Sequence, residues 1–127
     1  MSIYKGNKLV AGKVYEEKDV YSTEETKTNK VWVDGKPIYR KCGYVKNIPA
    51  KTEYTLDSTL TKSSVDVAIQ SGGIVTAPNN AKLFIGGYSG NDYRANLTIR
   101  SNGLIFLSSG DAYKDVHWWV EYTKTTD

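Results

Sequence analysis

Apolar and polar residues alternate along most of this chain with a period of two, the spacing of strands that bury one face. In "DVHWWVEYTK", 115–124, Val116, Trp118, Val120 and Tyr122 fall on one face, and His117, Trp119, Glu121 and Thr123 on the other. "YRANLTIR", 93–100, sets Ala95, Leu97 and Ile99 against Arg94, Asn96, Thr98 and Arg100. "TEYTLD", 52–57, alternates Tyr54 and Leu56 with Glu53, Thr55 and Asp57. "SSVDVAIQ" places Val65, Val67 and Ile69 together, after which Ser71-Gly72-Gly73 reads as a break. Two shorter apolar runs, "AKLFIGGY" and "LIFLSS", complete the set.

Turn chemistry separates these runs. Asp34-Gly35 and Asn102-Gly103 are hairpin signals, and Asp34-Gly35 predicts a type I′ turn joining strands at roughly 28–33 and 37–45. Pro37 cannot donate to a ladder, so it belongs on an edge or at the start of the return strand. Strands at 8–12-residue spacing, without a convincing long helix, predict an all-β fold: an antiparallel β-sandwich, jelly-roll or Greek-key-like. It is expected over residues 27–127. Residues 1–26 lack sustained periodicity and read as an N-terminal arm, in which "IYKGNKLVAG" carries small apolar clusters at Ile3, Tyr4, Leu9 and Val10.

Composition narrows the function. The 127 residues suffice for one domain with its own core. Seventeen Lys and Arg against fourteen Asp and Glu leave a net charge of +3 with the signs interspersed, so no basic stripe suited to nucleic acid is present. No run approaches a membrane span, and the polar N-terminus does not resemble a signal peptide; a soluble protein made in the cytoplasm is expected. One cysteine, Cys42, and one histidine, His117, exclude an intrachain disulfide and any site built from several imidazoles or thiolates. Neither a nucleophile–base pair nor a carboxylate pair is suggested locally, and Glu121 reads as a solvated strand residue. No enzyme, cofactor or metal site is expected.

Surface recognition remains. The ten tyrosines favour strands and wet interfaces. "GGYSGNDYR", 86–94, gathers Tyr88, Asn91, Asp92, Tyr93 and Arg94 in a glycine-punctuated loop. That is either a shallow glycan site, with rings against sugar C–H faces and Asn and Asp on hydroxyls, or an ordinary inter-strand loop. Trp118 shares a face with Val116 and Val120 and belongs to the core. Trp119 must then face solvent, a partner chain or a ligand, and the most economical cover is another copy of the chain.

Two segments carry a resemblance. "VYSTEETKTNKVWVDGKPIYRK", 20–41, and "WWVEYTKTTD", 118–127, resemble the paired signatures of a C-terminal domain of bacteriophage and prophage tail-fibre, head-fibre or receptor-binding proteins. The middle, roughly 43–115, follows only that family's general layout. The resemblance implies a homotrimeric β-domain exposed on the virion, in contact with other virion proteins and a host-surface glycan. A purely structural head-fibre or capsid-decoration protein, anchored through Ile3, Tyr4, Leu9 and Val10, is the alternative. Trp32, Ile38 and Tyr39 are then scaffold, with Tyr39 and Trp119 as candidate inter-subunit residues. Arg40 and Lys41 would be solvated or in inter-chain ion pairs.

Overall fold

A computed structural model describes residues 21–86, 88–89, 93–108 and 110–127, with the backbone alone for 88–89 and 93–94. Every regular element among them is a strand: β1 (Thr26–Val31), β2 (Pro37–Ile48), β3 (Glu53–Asp57), β4 (Val65–Thr76), β5 (Lys82–Phe84), β6 (Tyr88–Ser89), β7 (Tyr93–Arg100), β8 (Gly103–Ser108) and β9 (Tyr113–Lys124). All strand pairs are antiparallel, in a five-stranded sheet ordered β1-β2-β9-β4-β5 and a four-stranded sheet ordered β3-β8-β7-β6. No helix among the described residues is long and apolar enough to cross a membrane.

The predicted alternation places the core. From β9, Val116, Trp118, Val120 and Tyr122 point between the sheets. There they meet Ala95 of β7, Leu104 and Phe106 of β8, and the partly buried Tyr54, Leu56, Leu97 and Ile99. Phe106 and Tyr113 pack edge to face at 5.6 Å between centroids. Burying such a set is the main driving force for a fold of this size.

Two expectations need correction. The β1–β2 connection is not a type I′ turn, because Gly35 alone takes positive φ, at +90°. Gly35 N donates to Trp32 O at 2.9 Å and Trp32 N to Lys36 O at 2.9 Å, which closes a three-residue loop of Val33, Asp34 and Gly35. That is a type I turn followed by a left-handed glycine, and Asp34 Oδ1 reinforces it by accepting from Lys36 N at 3.0 Å.

Ser71-Gly72-Gly73 does not end a strand either. β4 runs through it, paired to β9 at Ser71↔Val120, Gly72↔Trp119 and Gly73↔Trp118. The glycines make room: a Cβ on Gly73, at φ +152°, would stand 2.1 Å from the His117 carbonyl oxygen. Irregularities in β4 between Val65 and Gln70 let the strand bend while its pairing to β9 continues.

Candidate functional site

β2, β9 and β4 are twelve-residue strands, and their core-facing side is closed by the second sheet. Their other face divides into two halves along β9, one shut and one open.

The shut half centres on Glu121, whose side chain is 2% exposed. Lys30 Nζ donates to its Oε1 at 2.9 Å, Gln70 Nε2 to the same oxygen at 2.9 Å, and Arg40 Nε to Oε2 at 3.0 Å. One carboxylate thus ties β1, β2, β4 and β9 together. Burial alone would raise the Glu121 carboxyl, but the bonds from Gln70, Lys30 and Arg40 outweigh it and hold it below the usual carboxylate range. The expectation of a solvated Glu121 is therefore corrected. Its partners sit far away in sequence and converge only when the sheet assembles. Thr28 and Thr123 are buried beside it; Thr28 Oγ1 donates to Ile38 O at 2.7 Å, and Val67 N donates to Thr123 Oγ1 at 3.1 Å.

Arg40 and Lys41 form ion pairs within the chain. Arg40 holds Glu121, and Lys41 Nζ lies 2.7 Å from Asp57 Oδ2. Burial pushes the Asp57 carboxyl up, while Lys41 and Thr59 pull it further down, leaving it below its ordinary value.

The open half is a groove of about 950 Å³ over the Asp115–Trp119 end of β9. Tyr44 and His117 stack across β2 and β9 with centroids 5.5 Å apart and planes at 17°. Trp119 lies against β4, its indole in the place of a Gly72 side chain: a Cβ there would stand 2.6 Å from Nε1. Ile74 and Phe84, paired across β4 and β5, extend the apolar surface, and Tyr21 bounds the far side. Phe84 is 73% exposed.

A polar strip closes one end of the groove. Thr76 Oγ1 donates to Asp115 Oδ1 at 2.8 Å, Lys82 Nζ donates to Thr76 Oγ1 at 2.9 Å, and His117 Nε2 lies 3.8 Å from Asp115 Oδ1. Cys42 lines the groove as a free thiol, which burial pushes up and so keeps protonated. Chemically this is a contact surface: rings and an isoleucine in the open, with one carboxylate and one ammonium beside them. Among the described residues no group of three or more His, Cys, Asp or Glu side chains could hold a metal ion.

Of the residues singled out from sequence, Trp119 is at the groove. Tyr39 points to the core side, stacked on Tyr122 at 6.2 Å, with Lys124 Nζ 4.6 Å above its ring. Tyr88, Tyr93 and Arg94 belong to the β6–β7 hairpin at the edge of the other sheet, paired Tyr88↔Arg94 and Ser89↔Tyr93. Asn91 and Asp92 lie outside the described residues, as do Ile3, Tyr4, Leu9 and Val10. The described strands of that segment belong to the four-stranded sheet, whereas Trp119 lies on the five-stranded one. Tyr44, Ile74 and Phe84 were missed, although a signal existed. Each sits out of phase with a buried or half-buried neighbour, Val45, Val75 or Leu83, at a position where a solvated strand carries polar residues.

No family model matches the chain, and neither a curated protein nor a solved structure matches it.

Proposed function

We propose that this chain is a structural domain of a bacteriophage virion appendage, a homotrimer that acts by assembly and surface contact rather than by catalysis. It would present loops such as 86–94 to a host-surface glycan. The observation that carries the reading is the aromatic groove beside Trp119. The outer face of an antiparallel sheet in a monomer should be polar, and an apolar face left open is a surface for a partner.

The resemblance of the two terminal motifs gains support from where they meet. Tyr39 stacks on Tyr122, Arg40 and Lys30 hold Glu121, and Glu25 accepts hydrogen bonds from Tyr122 Oη and Lys124 Nζ. Residues from 20–41 and 118–127 thus form one framework, as shared family signatures do when they maintain a fold. The pairings β2–β9 and β3–β8 nest from the chain ends inward and alternate between sheets, which favours a jelly-roll-like sandwich.

Light scattering on the purified chain at micromolar concentration tests the reading. A mass three times the 14.2 kDa of one chain is expected. A monomer would refute the trimer.

A further inference from the structure

Among the described side chains, large hydrophobic residues stand exposed at two places only. Tyr21, Tyr44, Ile74 and Phe84 border the groove, and Val31 and Val33 project from the β1–β2 hairpin. The first place is concave and the second convex. Val33 is 91% exposed at the tip of a loop that its glycine turn and Asp34 hold in shape.

The two places cannot meet within one copy. The hairpin lies at the Lys124 end of β9, where Lys36 Nζ donates to Lys124 O at 3.2 Å, whereas the groove covers Asp115 to Trp119. Seven residues of strand from Lys124 back to His117 separate them by about 23 Å at a rise of about 3.3 Å per residue. A partner that covered one place would leave the other exposed. A head-to-tail contact between copies covers both at once.

We infer that the hairpin tip of one copy, Val31–Gly35, seats in the groove of the next, with Val33 against Trp119 and Phe84. The inference rests on the homotrimer reading and names its interface. Charge fits the same direction. At the hairpin base Lys30 and Lys36 are already held by Glu121 and Asp66, so the tip leads with the exposed carboxylate of Asp34. On the groove side, the Asp115 carboxylate is outnumbered by two ammoniums, Lys82, which shares Thr76 Oγ1 with it, and Lys46, directly across on β2. Such a contact uses two different patches, so it is heterologous, and a three-fold rotation closes it into a ring with no patch left over.

The experiment refolds together from urea two variants of the 127-residue chain in a Cys42→Ser background, Val33→Cys on a tagged chain and Phe84→Cys on an untagged one. Both positions are exposed in the single chain, so folding is retained and is checked by circular dichroism. Oxidation of the mixture should give a tagged–untagged disulfide pair that neither variant gives alone. Val33→Asp should lower the light-scattering mass from three chains to one. If the wild-type chain is trimeric yet the mixture does not cross-link and Val33→Asp stays trimeric, the interface lies elsewhere and the trimer stands. A wild-type monomer removes the trimer and this contact together, leaving the groove to a different molecule. Masses that grow with concentration beyond three chains overturn the closed ring in favour of an open filament.

Discussion

Trp118 and Trp119 are neighbours in sequence and occupy opposite sides of the same strand. Each lies over a glycine of an adjacent strand. A Cβ on Gly43 of β2 would stand 2.5 Å from Trp118 Cζ2, and one on Gly72 of β4 would stand 2.6 Å from Trp119 Nε1. The local arrangement is nearly the same, yet Trp118 is 5% exposed and Trp119 is only half-buried. The difference lies in what stands above each ring. A second sheet covers Trp118, while the surface around Trp119 is open. Alternation along a strand decides the side to which a ring points; burial depends on whether another layer exists there.

Trp118 Nε1 is buried and meets no hydrogen-bond partner among the described residues. An unmet N–H costs about 1–3 kcal/mol, so packing of the indole must outweigh it. The largest predicted effect follows. Trp118→Ala should cost about 3–5 kcal/mol in urea unfolding, from lost burial and the cavity left behind. In the monomeric state Trp119→Ala should cost about 1 kcal/mol, as its ring has one open side. Equal losses would show that the two faces are not distinct.

A smaller effect separates the two halves of the outer face. Glu121→Ala should destabilise by about 3 kcal/mol, because Lys30, Gln70 and Arg40 all lose the buried carboxylate that gathers them. Lys30→Ala, removing a half-exposed partner, should cost less than about 1 kcal/mol. A Glu121→Ala protein as stable as Lys30→Ala would mean that the shut half is held by burial of Thr28, Ile38 and Thr123, not by its carboxylate.

The smallest effect is the pH dependence of that difference. Glu25, Asp57 and Glu121 all titrate below ordinary carboxylates: burial opposes the shift in each, and their hydrogen bonds and ion pairs overcome it. Carboxyls depressed in the folded state bind protons more readily when unfolded. Their contribution is therefore complete above roughly pH 5 and is lost as pH falls through the unfolded and then the folded values. Urea midpoints measured from pH 7 to pH 3 should fall only in the acid range, and by less in Glu121→Ala. An equal fall in that variant would assign the acid sensitivity to other groups.

Much of this was legible before the fold was known. Period-two runs such as 93–100 and 115–124 are strands, because only that geometry gathers their apolar residues on one side. Asp34-Gly35 marked a hairpin, although not its turn type, since the choice between types rests on φ at Asp34. Two glycines in β4 resembled a break because glycine weakens strands in general; here they receive Trp119 and the backbone of β9, and neither partner is visible from residue 72. Tyr44, Ile74 and Phe84 could have been flagged as apolar residues on the wrong side of their strands, but nothing local says that they form one groove.

Apart from β4, where irregularities between Val65 and Gln70 keep Val67 and Ile69 out of the core cluster that holds Val65, the one-dimensional pattern determined an all-β chain, the faces of strands such as β3, β7 and β9, and the inward direction of Trp118 with the outward direction of Trp119. Those properties depend on neighbours one or two residues apart. Tertiary structure alone decided that Glu121 is buried, that the outer face is half shut and half open, and that the exposed apolar residues fall into a tip and a groove. Such outcomes depend on side chains from β1, β2, β4, β5 and β9, which strand order brings together through hydrogen bonds such as that of Lys30 with Glu121, ninety-one residues away.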